Sequence, residues 1–201
     1  MSADAADVQE SGSMEHQDNV PIVARLVRRG SGDAGPQNVS ILALAAAAFG
    51  AQQPPDRTPP TGFDPATVAL FEGLVECAYL VANADGVFDE LEREAFERLI
   101  HASCGGVVSG RQISALLDDF EALLEEDGVD ARLEAAASAF KRRVHAEEAL
   151  RVAVAMAHAS SGVSEEERAL IDRLAARCGL TADDVAAAYA EVEAELARAR
   201  A

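Results

Sequence analysis

From residue 64 onward the apolar residues recur every three or four positions, and each run is bracketed by residues that start or stop helices. Asp64-Pro65 reads as an N-cap followed by proline at the first helical position, opening a helix over 66–83 with Val68, Phe71, Leu74, Val75, Ala78 and Tyr79 on one stripe. Asp89 and Glu92 form a D-x-x-E capping box for a second helix, whose stripe is Leu91, Ala95, Phe96 and Leu99. Ser109 opens a third helix, with Ile113, Leu116, Leu117, Phe120 and Leu124 inward, and Gly128 ends it. Asp130 caps a fourth, carrying Leu133, Ala137 and Phe140, with Lys141-Arg142-Arg143 in its last turn beside the negative end of the dipole. A fifth helix covers about 146–159. Ser164 and Glu167 make another capping box for the sixth, which stops at Cys178-Gly179, and Thr181 caps the seventh. Period-two alternation is not sustained anywhere in this stretch, so the expected fold is all-α, a bundle of about seven helices over 63–201.

The first 62 residues read differently, as an acidic tail and a flexible segment with short helices. Residues 1–20 hold five acids and no base among Ser, Gly and Gln, a composition that does not fold alone. In 20–29, Val23, Leu26 and Val27 share one helical face beside three arginines. That suits either an adhesive unfolded stretch or a short helix docking on a partner or a membrane surface. GSGDAG (30–35) and the proline-rich 51–62 are linkers around one short Ala-rich helix at 39–49. The apolar stretch 41–49 is too short to span a bilayer, which takes about 20 residues.

An internal repeat organises the helical part. Residues 154–175 laid under 79–100 match at seven of 22 positions, against roughly two expected from average residue usage. The identities include Ala82/Ala157, Glu92/Glu167, Arg93/Arg168 and Leu99/Leu174. Two related helical hairpins, packed by pseudo-twofold symmetry, would bury each other's apolar stripes.

The stretches VANADGVFDELEREAF and AHASSGVSEEERALIDRLAARCGLTADDV resemble the TerB-like domain of bacterial tellurite-resistance proteins, over residues 66–198. The resemblance implies an all-helical fold with clustered acids, a suggested divalent-cation role, and work in multi-protein stress-response assemblies without a catalytic step. It carries over to Asp85, Asp89 and Glu92 in the first copy and Glu167 in the second. The second copy departs from the motif, with Ser160-Ser161 where Asp-Gly is expected.

The Asp85-Gly86 loop admits two readings. With Gly86 at the invariant glycine of an EF-hand, Asn83, Asp85, Asp89 and Glu92 fall on ligand positions, but Val81 takes the first and has no ligating side chain. Alternatively Asp-Gly is a turn and Asp89/Glu92 a cap that no metal needs. If a cation binds, Asp85, Asp89, Glu92, Glu165, Glu166 and Glu167 are the candidate ligands, and an all-oxygen set selects calcium or magnesium. A metal-free acidic adaptor for a protein partner is the competing reading.

Charge sharpens this choice. The chain has 201 residues with 35 acids against 17 Lys and Arg, a net charge of −18, which opposes nucleic-acid binding and suits cations or basic partners. Three cysteines without a CxxC pair fit reduced thiols and a cytoplasmic location. Enzyme classes find little footing: His158 beside Ser160 and Ser161 lacks an orienting acid, and phosphate-loop, GxSxG and HExxH motifs are missing.

Overall fold

The computed structural model describes residues 20–28, 40–51, 64–159 and 162–200. The acidic stretch 1–19, the 30–35 linker, nearly all of 51–62 and the Ser160-Ser161 pair lie outside the described residues. Eight helices are described: α1 (20–28), α2 (Ile41–Gly50), α3 (Pro65–Ala82), α4 (Glu90–Ser103), α5 (Gly110–Ala137), α6 (Arg143–Ala157), α7 (Glu165–Arg177) and α8 (Ala182–Arg200). There is no strand among the described residues, and the all-α expectation holds.

Two long helices, α3 and α6, lie against each other at the centre. α3 is 18 residues long with a mean hydropathy of 1.4, apolar enough by length and composition to span a membrane. Its apolarity has a different cause: it is covered on several sides, packing against α2, α5, α6 and α7, and a helix buried all round is apolar all round. From Phe71 to Val81 it buries every residue except Glu72. The corresponding helix α6 is buried from Glu148 to Ala157. Each then turns a corner into an amphipathic helix, α4 or α7, and a third helix, α5 or α8, closes the half.

The halves agree in their stops as well as their starts. α4 and α7 end on Cys104 and Cys178, each followed by a glycine of positive φ, Gly105 at 64° and Gly179 at 68°. Glycine adopts that left-handed C-cap conformation without the cost a Cβ imposes.

Several local expectations need correction. Leu91 is 72% exposed rather than part of the α4 stripe. Five residues before Phe96, it stands about 140° round the helix at 3.6 residues per turn, on the outer face. The predicted stop at Gly128 is met, because its φ of 78° is not helical and divides α5 into two helical stretches. Asp130 spends its carboxylate on Arg173 and Arg177, both at 2.6 Å, tying α5 to α7. α5 ends at Ala137, so Lys141 and Arg142 lie beyond its last turn, and Arg143 opens α6, pairing with Glu147 at 2.8 Å and Asp184 at 2.7 Å.

The largest difference concerns α1 and α2. They precede the predicted domain start at 63, yet Val23, Leu26, Val27, Leu42, Ala46 and Phe49 are buried in the common core. The apolar face of 20–28 is therefore turned inward, while Arg25 and Arg28 stay exposed. A buried ion pair on α6 secures both helices. Arg151, 3% exposed, and Glu148, 1% exposed, meet at 3.0 Å. Arg151 donates to the Leu26 and Val27 carbonyls at 2.8 and 3.3 Å, at the end of α1. Glu148 accepts from the Leu42 backbone N–H at the start of α2. A cation thus meets a helix C-terminus and an anion a helix N-terminus, the pairing that both dipoles favour.

Candidate functional site

The two corners are built by the same local chemistry. In the first, the Asp85 carboxylate accepts from the Val87 N–H at 2.9 Å, an Asx turn, and Gly86 takes φ of 79°. Asp89 accepts from the Glu92 N–H at 2.9 Å, and Glu92 accepts in return from the Asp89 N–H at 3.1 Å. In the second, Ser164 accepts from the Glu167 N–H at 3.0 Å, and Glu167 takes the Ser164 N–H at 2.8 Å. Both capping boxes are complete. The EF-hand register fails on Val81, which is fully buried within α3.

The fold brings these corners face to face. Glu92 and Glu167 both line one cleft of about 70 Å³, whose apolar wall includes Phe88, Phe96, Leu99 and Met156, with Val20 of α1 at its edge. Behind the first corner the wall is stiffened by edge-to-face rings: Tyr79 against Phe88 at 5.3 Å and Phe88 against Phe96 at 5.9 Å. Such pairs prefer a fixed mutual orientation. Glu167 is only 9% exposed. Burial pushes its carboxyl up from the ordinary range, two bonds from Ser164 oppose that, and the charges of Asp85 and Glu92 push it up further. The three carboxylates are near enough to repel, so the corners of the two halves share one electrostatic site.

The six predicted ligands do not all converge. Glu92 and Glu167 line one cleft and Asp85 adds its charge to Glu167, whereas Asp89, Glu165 and Glu166 do not line it; of the six only Glu167 is buried. Glu166 lines a different concavity, with Asp127, Asp130 and Arg173. Among the described residues, no three Asp, Glu, His or Cys side chains are grouped closely enough to hold a metal ion. Repulsion acts over several ångströms, but chelation needs oxygens at about 2.0–2.6 Å from one point, and the capping bonds hold Glu92 and Glu167 back toward their own helices.

The second corner has further polar groups that the spacing of residues did not single out. Arg168 lies over the Tyr189 ring, 4.6 Å from its centroid, and His158 meets the same ring edge-on at 6.1 Å. The repeat supplies a trace of this, since Arg168 matches Arg93, which in the first half reaches from α4 to the Ser114 carbonyl at 3.0 Å on α5. In both halves the arginine one residue past the capping glutamate clamps the third helix.

A family model described as tellurite resistance protein TerB matches residues 72–191, more than half of the chain. No curated protein and no solved structure matches it. The matched span begins inside α3 and ends inside α8, so it takes in both corners and the cleft between them, and it leaves α1 and α2 outside. With its helical fold and its two capped corners, this chain belongs to the TerB family.

Proposed function

We propose that this chain is a non-catalytic binding module that recruits a basic segment of a protein partner to the face where its two corners meet, within a cytoplasmic stress or tellurite-resistance assembly. The observation that carries this reading is that Glu92 and Glu167 line one apolar cleft, with the charge of Asp85 acting on Glu167, on a chain of net charge −18. An apolar floor supplies affinity and an acidic rim supplies orientation and on-rate toward a positively charged partner. The carboxylates are engaged in helix caps, which suits recognition better than proton transfer. α1 turns its apolar side inward and so adds rigidity beside the cleft rather than a membrane anchor.

Fluorescence anisotropy with a labelled amphipathic Lys-Leu peptide tests this, with a Glu-Leu peptide as control. The expected result is salt-sensitive binding of the basic peptide alone, weakened at least tenfold by Glu92→Lys/Glu167→Lys. Equal binding of both peptides, or an unaffected variant, overturns it.

The mutual repulsion of the three carboxylates also favours a second reading, in which calcium or magnesium draws them together. Calorimetric titration separates the two. Saturable uptake of either ion, abolished by Glu167→Gln, would establish the cation reading, and heats of simple dilution would retire it.

A further inference from the structure

The shape and chemistry of the cleft narrow the partner group further. Resting on the binding-module reading above, we infer that the cleft receives the side chain of a single lysine or arginine from a partner protein, its aliphatic stem inside and its cation at the mouth.

Three features select that occupant. The first is shape: the cleft is small, about 70 Å³, and open on one side, which suits a slender stem that enters with its polar head left at the mouth. The second is the wall. Ala82, Ala95 and Ala159 keep it open, and Phe96, Leu99 and Met156 make it apolar, matching the methylene stem that lysine and arginine bury while their charged heads stay near water. Methionine also adapts its shape to what it packs against. The third is the placement of charge. Glu92 and Glu167 line the same cleft, one from each half, and Asp85 adds its field to Glu167. Among the described residues that line it, none is basic.

Among the described residues, no basic side chain pairs with Glu92 or Glu167. Arg93, the nearest arginine in sequence to Glu92, is turned away to Glu97, Asp118 and Glu121. Arg168, next to Glu167, lies over Tyr189. Both basic neighbours are thus committed to the outer flanks of their own halves. An apolar or acidic side chain entering the cleft would bury the Glu167 charge further with only its capping bond and no cation beside it, which is costly. A cation offsets the desolvation by direct attraction and screens the repulsion from Glu92 and Asp85.

Chemical-shift titration of the full chain with n-butylammonium at neutral pH tests the inference, with n-butanol and butyrate as matched controls. Saturable shifts are expected at the Phe96, Leu99, Met156 and Glu167 amides with butylammonium, at least tenfold weaker with either control. Glu92→Gln/Glu167→Gln retains the capping acceptors and should weaken butylammonium binding at least tenfold. Ala95→Leu should block it by filling the cleft while leaving both acids in place. Butanol binding as well as butylammonium, shifts that survive both variants, or no saturable shift would each overturn the inference. A null result here together with selective binding of the basic peptide above would locate partner binding elsewhere on the acidic surface, leaving the broader reading intact.

Discussion

The two halves of the helical core handle buried charge differently. In the first, Glu76 of α3 pairs with Arg132 of α5 at 2.7 Å, and Arg132 reaches on to Asp127 at 3.1 Å toward solvent. In the second, Glu148 and Arg151 lie on the same helix, are almost wholly buried, and turn their remaining capacity onto the backbone of α1 and α2. The repeat register makes the contrast sharper, because Arg151 aligns with Glu76 and Glu148 with Gly73. A Cβ at Gly73 would stand 3.0–3.1 Å from Ala139 Cβ and the Ala136 carbonyl oxygen, so the first half closes that face with its own chain. The second half opens the equivalent face to charged side chains and covers it with the N-terminal helices. The duplicated units have diverged at this one face, closed by Ala136 and Ala139 in the first copy and by the ends of α1 and α2 in the second, while α2 also packs on α3 through Phe49 and Phe71.

Breaking the deeper pair should show this most strongly. Arg151→Met leaves Glu148 buried without its cation, a loss of the kind that costs about 3–5 kcal/mol. It should also free α1 and α2 first, seen as early hydrogen exchange at 20–28 and 40–51. Protection of those segments equal to wild type would contradict their attachment through Arg151. Arg132→Met should cost less, about 1.5–3 kcal/mol for a charged hydrogen bond with a route to solvent, and leave the exchange of α1 and α2 unchanged.

The corners are compared by removing matched caps. Asp89→Ala and Ser164→Ala should each cost about 1 kcal/mol in chemical denaturation, and a difference above that size would show that the corners are not equivalent.

Glu167→Gln sharpens the electrostatic contrast. Because the folded-state carboxyl is raised above its ordinary value, the native protein binds more protons than the unfolded chain between the two values. Stability from this group is therefore full at low pH and falls as pH rises from about 4.5 through the folded value. Glutamine still accepts the capping bond, as Gln112 does for Ser109 at 3.1 Å. The variant should be as stable as wild type or more so at neutral pH, with a flatter melting profile between pH 4 and 7. An unchanged slope would remove Glu167 from the account.

What could be read in the sequence divides along the same line. The capping boxes at Asp89/Glu92 and Ser164/Glu167, the Gly128 interruption and the buried stripes of α3 and α5 are local, set by residues within one or two turns of each other. The contact of Arg151 with Leu26 spans 125 positions, and nothing near either residue signals it. A short apolar segment flanked by Gly- and Pro-rich stretches looks the same whether it packs on its own core or on a partner. Leu91 misled for the opposite reason, being apolar at a position that the start of α4 turns outward. In the cleft, the acids at each corner were legible one at a time. Their approach was implied only by the repeat, and the aromatic and methionine wall between them follows from how α3, α4 and α6 pack.

The meeting of the two corners is tested most directly by a double-mutant cycle on Glu92→Gln and Glu167→Gln, measured by denaturation at neutral pH in low and high salt. Carboxylates that face each other across one cleft predict non-additivity of about 0.5 kcal/mol or more, with the second substitution gaining less than the first, and a coupling that shrinks as salt screens it. Effects that add to within about 0.3 kcal/mol at low salt would mean that the two corners do not share a site.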